Sequence, residues 1–149
     1  MRKWLILLVM LFTPALAQSL QVTAGSPFGV NAGVRLTLVP FLVDGRVYGG
    51  ANFLTGGPAS FGGGAEVLLS IPLTDLYAGA GLFYASGPTV SLLSQGSSSG
   101  ALGARGVLGT YLNVGLPLIG IFVEVHPMLF FTNPSAFGLG GAIGVNIGF

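Results

Sequence analysis

In the stretch VNAGVRLTL, residues 30–38, Val30, Ala32, Val34, Leu36 and Leu38 alternate with Asn31, Gly33, Arg35 and Thr37. A two-residue period marks an extended strand with two unlike faces, because successive side chains point to opposite sides. The period recurs along the chain. QSLQVTA (18–24) sets Leu20, Val22 and Ala24 against Ser19, Gln21 and Thr23, and RVYGGANFL (46–54) places Arg46, Tyr48, Gly50 and Asn52 on one side. GGAEVLLSI (63–71) opposes Gly64, Glu66 and Ser70 to Ala65, Val67, Leu69 and Ile71. DLYAGAGLFY (75–84), LGARGVLGTYLNV (102–114) and FGLGGAIGVNIGF (137–149) continue it, and residues 119–131 bring the number of strand segments to eight.

Composition tells what these strands face. Charged residues make up 6% of the chain and hydrophobic ones 52%, far too apolar for an ordinary water-exposed surface. A membrane is the natural solvent, and only helices or closed barrels satisfy their backbone there. A spanning helix needs about 20 consecutive apolar residues. The best window, 107–131, is broken by Asn113, Pro117, Glu124, His126 and Pro127, and the chain carries 26 Gly and 9 Pro. The expectation is therefore all-β: a closed antiparallel up-and-down transmembrane β-barrel of about eight strands, spanning 18–149.

Residues 1–17 read separately. Arg2 and Lys3 precede the apolar LILLVMLF, and Ala15-Leu16-Ala17 forms a small-residue cleavage pattern. This is the layout of a secretory signal peptide, cleaved after Ala17, with a core too short to span a bilayer. From Gln18 onward Arg35, Arg46 and Arg105 stand against Asp44, Glu66, Asp75 and Glu124, a net charge of −1. No basic patch is available for nucleic acid. The absence of Cys leaves burial and backbone pairing to hold an exported fold together.

The connections alternate in length. Asp44-Gly45 reads as a tight hairpin, and Pro72-Leu73-Thr74 and Pro117-Leu118 are also short. Residues 25–27, 55–60, 86–100 and 132–136 form the other set, mostly longer. Short turns at one end, longer loops at the other and an even strand number describe an outer-membrane barrel with both termini on the periplasmic side. Over 19–149 the chain resembles the small eight-stranded outer-membrane proteins, such as the OmpA membrane domain and OmpX. Its final strand, GVNIGF with Phe149 last, looks like the signal read by the barrel-assembly machinery. The resemblance implies the fold, export to the outer membrane, contact with outer-membrane lipid and that machinery as a partner during biogenesis. It carries no particular activity.

Arg35, Arg46, Glu66, Arg105, Tyr111, Glu124 and His126 all fall on the face rich in Gly, Asn and Tyr. Turned toward lipid, a mid-membrane Arg costs about 2–4 kcal/mol; turned inward, these groups can pair. Asp44 and Asp75 are assigned to turns. Eight strands enclose a space that side chains just fill, so the expectation is a packed polar lumen, with a small or gated pore as the alternative. Phe28, Phe53, Phe61, Tyr84, Phe131 and Phe137 are expected to girdle one rim, and Phe41, Tyr77 and Phe149 the other.

Glu124 and His126, two apart on one strand face, raise the question of catalysis. A Ser-His-acid hydrolase needs a Ser within reach of the His. Hairpin geometry sets Glu124 opposite Tyr111 and Gly144, and His126 opposite Gly109 and Ala142, with no Ser among them. The reading is accordingly non-enzymatic, with no cofactor and, given a single His, no metal. The hydrolase stands third, behind the pore. The Ser-rich loop 86–100 is a candidate contact for an extracellular ligand, although plain solvated linker explains its composition as well.

Overall fold

A strand of alternating polarity leaves two backbone edges to satisfy, and only ring closure removes both. A computed structural model describes residues 18–53, 59–87, 89, 100–112, 114–131 and 135–149. Residues 1–17, most of loop 86–100 and Asn113, all of which carry expectations above, lie outside this set. The strands are β1 (Gln18–Gly25), β2 (Gly29–Val39), β3 (Val43–Asn52), β4 (Ser60–Ser70), β5 (Leu76–Ala85), β6 (Ala101–Leu112), β7 (Ile119–Phe130) and β8 (Ala136–Gly148). Each pairs antiparallel with the next, and β1 closes onto β8. The result is the closed eight-stranded up-and-down barrel that the alternation predicts.

Alternation sorts the side chains through the wall. Val22, Val34, Val47, Val67, Leu82, Leu108, Val125 and Ile143 are exposed on the outside, while Gln21, Arg35, Arg46, Glu66, Arg105 and Glu124 are buried within. Small and large residues complement one another inside. A Cβ added at Gly109 would lie 2.3 Å from the Tyr77 ring, and one at Gly140 would lie 2.2 Å from the Ser26 hydroxyl. The glycines thus supply the room that the long side chains occupy. Phe28, Tyr48, Phe83, Ala85, Met128 and Phe130 pack together toward the long-loop end. Leu68, Tyr77 and Val107, with Tyr111 against them, pack toward the end that carries the termini. The charged residues of mid-strand lie between these two apolar plugs.

Several local expectations are corrected. The β2–β3 turn is Pro40-Phe41-Leu42, closed by Leu42 N–H donating to the Val39 carbonyl at 3.1 Å. Asp44 and Gly45 lie within β3, opposite Thr37 and Leu36, and Asp44 is buried. Proline fixes the φ needed at the second position of a turn, and this overrides the Asp-Gly signal. Phe28 and Tyr77 are not girdle residues: both point inward, with 0% and 2% exposure. Phe53, Phe61, Tyr84, Phe131 and Phe137 are exposed at one rim and Phe41 and Phe149 at the other.

The neighbours of the Glu124 strand also differ. Glu124 pairs with Gly109 on β6 and Ala142 on β8, and His126 with Gly140. Tyr111 faces Phe122. The ladders are displaced by two residues from the hairpin expectation, which preserves the face and changes the neighbour. Pro127, lacking an N–H, sits where the β6–β7 pairing is interrupted, between Arg105–Met128 and Leu108–Val125.

Candidate functional site in the barrel interior

Arg46 and Glu66 occupy facing positions of β3 and β4, so their side chains meet inside the wall. Arg46 Nε donates to Glu66 Oε2 at 2.8 Å, and its Nη1 donates to Glu124 Oε1 at 2.6 Å across the lumen. The Gln21 side-chain carbonyl accepts from the same Nη1 at 3.4 Å. Arg105 reaches Glu66 from β6 through Nε at 2.5 Å and also through Nη2. Its guanidinium stacks 4.4 Å from the centre of the Tyr48 ring. Nearer the terminal end, Arg35 Nε donates to Asp44 Oδ2 at 3.0 Å, and Arg35 also donates to the Tyr111 hydroxyl. The Arg35 guanidinium lies 5.3 Å from both the Tyr77 and Tyr111 ring centres.

Glu124 is the most shared acceptor. Besides Arg46 it takes a bond from the Tyr77 hydroxyl at 2.6 Å and one from His126 Nε2 at 2.8 Å. A buried ion pair holds only when its remaining lone pairs and protons are satisfied, and Glu124 meets that condition. Because a carboxylate only accepts, His126 must carry a proton on Nε2. Its Nδ1 lies 2.8 Å from the Ser26 hydroxyl, which donates to it when the imidazole is neutral. Three buried arginines face three buried carboxylates, so a neutral imidazole keeps the interior balanced.

Ser26 is the residue that sequence reasoning missed. It comes from the β1–β2 turn, whose residues Ser26, Pro27 and Phe28 fold down into the barrel mouth. The Ser26 N–H donates to the Gly141 carbonyl at 2.9 Å, and the Ser26 carbonyl accepts from Arg105 Nη1 at 3.4 Å. Phe28 wedges against Tyr48 and Phe83. Strand spacing could not reveal this contact, because the turn leaves the barrel wall. The only available signal was a short, apolar-tipped Gly-Ser-Pro-Phe-Gly at the long-loop end.

The arrangement places Ser26, His126 and Glu124 in one chain, but the ring is reversed relative to a serine hydrolase, where Nε2 faces the Ser and Nδ1 the acid. Ser26 is 2% exposed. Beside it lies a void of about 20 Å³, lined by residues including Gln21, Asn31, Arg46, Arg105 and His126. That is room for about one water molecule, too small for the carbonyl and flanking atoms of an ester. Among the described residues, no three His, Asp or Glu side chains gather as a metal would require.

Fold and interior together define a closed eight-stranded barrel with apolar exterior and ion-paired core. Compared with known proteins, the chain matches no family model, no curated protein and no solved structure.

Proposed function

We propose that the chain is an integral outer-membrane β-barrel without enzymatic activity, with an envelope-structural or loop-presenting role. In this reading residues 1–17 direct export and are removed, and 18–149 form the membrane domain. Phe149 contributes to recognition by the assembly machinery, and the Ser-rich segment 86–100 is a candidate contact for an extracellular ligand. The observation that carries it is the polarity of the wall: exposed apolar side chains outside, six buried ion-pairing residues inside. A water-soluble barrel has the opposite sorting. The filled interior supports a structural role over a pore.

The decisive experiment is electrophoresis of boiled and unboiled protein from an outer-membrane fraction. A heat-dependent mobility shift is expected; recovery as a soluble protein would overturn the reading. In planar bilayers the protein should give no reproducible single-channel steps, and such steps would favour a pore. The Ser26–His126–Glu124 chain favours one other reading, a lipid-directed hydrolase. It requires the β1–β2 turn to swing out, and it predicts phospholipid hydrolysis by purified protein that is lost in Ser26→Ala.

A further inference from the structure

Three turns at the end that carries the chain termini are built alike. Val39-Pro40-Phe41-Leu42, Ile71-Pro72-Leu73-Thr74 and Leu116-Pro117-Leu118-Ile119 each set a large apolar residue directly after a proline. In all three that residue has positive φ: 63° at Phe41, 64° at Leu73 and 69° at Leu118. The first two close with a hydrogen bond from the fourth residue back to the first, at 3.1 and 3.2 Å. Proline second and positive φ third is the type II pattern, and its third position normally takes Gly or Asn. An L side chain there crowds its own backbone.

The barrel itself gives little return for this strain. Phe41 and Leu73 are 95% and 105% exposed, so their side chains gain almost nothing from packing within the chain, and Leu118, at 70%, keeps only a partial contact beside Gly148. Glycine would serve the fold better at each. The same costly choice made three times, always with a large apolar side chain at the tip, points to something outside the chain that takes those side chains.

We infer that this rim is a lipid-contacting surface, its three tips inserted at the boundary between headgroups and acyl chains instead of standing in water. The inference rests on the outer-membrane reading above. Lipid is favoured by continuity: the outward apolar face runs from Val47, Val67, Leu108 and Val125 through Leu38, Leu69, Leu76, Leu112 and Ile147 to the tips. It is favoured also by the scarcity of charged anchors among the described residues. Among the described residues, Asp75 is the only charged side chain exposed at this rim, whereas a protein partner is normally fixed by a polar border of hydrogen bonds. The turn backbones suit a poorly hydrated layer too. Pro40, Pro72 and Pro117 have no N–H to desolvate, and the Leu42 and Thr74 N–H groups are already bonded within their turns.

Tryptophan fluorescence tests this directly. The chain's one Trp, Trp4, lies in the segment 1–17, so each variant is made in a Trp4→Phe background. Phe41→Trp, Leu73→Trp and Leu118→Trp are reconstituted singly into phosphatidylcholine vesicles, with Val125→Trp as a mid-wall control and Leu116→Trp as a rim position without positive φ. Expected are blue-shifted emission, loss of most of it in vesicles with brominated acyl chains, and little loss with aqueous acrylamide. If Val125→Trp is quenched by bromolipid while the rim variants are quenched by acrylamide, the rim inference is overturned and the membrane reading stands. Rim variants quenched by neither reagent also overturn it, in favour of a protein cover. If Val125→Trp escapes bromolipid as well, the membrane reading itself fails.

Discussion

At the scale of single residues, Glu124 holds the interior together because three donors from three strands converge on it. Arg46 comes from β3, Tyr77 from β5 and His126 from its own strand, β7. Glu124→Ala would leave a buried guanidinium under-paired and strand two further donors. The expected loss is about 3–5 kcal/mol, read from urea unfolding in detergent micelles. The glycines make a second, independent prediction. Gly109→Ala drives a methyl into the Tyr77 ring and should cost about 1–3 kcal/mol by overpacking. Tyr77→Leu in the same chain should recover part of it, so the double variant will be less damaged than the two losses added together. The inward position of Arg46, Glu66 and Glu124 was legible from alternation alone, because parity decides the face. The Ser26 contact was not, since it depends on a turn entering the lumen and on Gly140 leaving room for it.

At the scale of elements, turn chemistry separates what could be read from what could not. Pro72-Leu73 and Pro117-Leu118 stand at turns as expected, whereas Asp44-Gly45 lies inside β3 and the preceding Pro40-Phe41 makes the turn. An apolar residue at positive φ is a poor turn former by itself, so propensity pointed to the wrong dipeptide. The two-residue displacement at Glu124 has a similar origin. Hairpin register depends on how many residues the loop takes, and the residues after β6 use more than Pro117-Leu118 alone. The strained tips yield a prediction of opposite signs. Phe41→Gly, Leu73→Gly and Leu118→Gly each relieve about 1–2 kcal/mol of left-handed backbone strain, offset in part by the greater unfolded-state freedom of glycine. Urea unfolding in detergent should therefore show equal or higher stability. Insertion into vesicles, followed by flotation, should be weaker for the triple variant.

At the scale of the whole molecule, the barrel was the most legible feature. Eight alternating segments, no unbroken apolar run long enough for a helix and almost no charge leave few other ways to satisfy the backbone. What the alternation could not supply was the layering of the interior. The apolar plugs formed by Phe28, Phe83 and Phe130 above and by Leu68 and Val107 below depend on which residues of different strands share a height. That height is set by register, and the hairpin spacing misjudged register by two residues at β7. The sorting of the wall is testable as a whole-molecule property. Val123, partly exposed on the outside of β7, should tolerate Leu. Val123→Arg should sharply reduce the heat-modifiable form in membrane fractions, and equal behaviour of the two variants would contradict an exterior bathed in lipid.

The ladder that joins β1 to β8 runs only from Ser19 to Gly25, whereas the one joining β7 to β8 runs from Ile119 to Phe130. The wall therefore has a seam, and the seam lies where the first and last strands meet. Unzipping should begin there, since fewer backbone bonds must break together. The chain has no Cys, so a stitch can be placed at will. Val22→Cys with Val145→Cys joins facing residues across the seam, and Val47→Cys with Ala65→Cys joins facing residues within the continuous wall. The first disulfide should raise the unfolding midpoint more than the second, by bolting the junction that no hairpin turn closes.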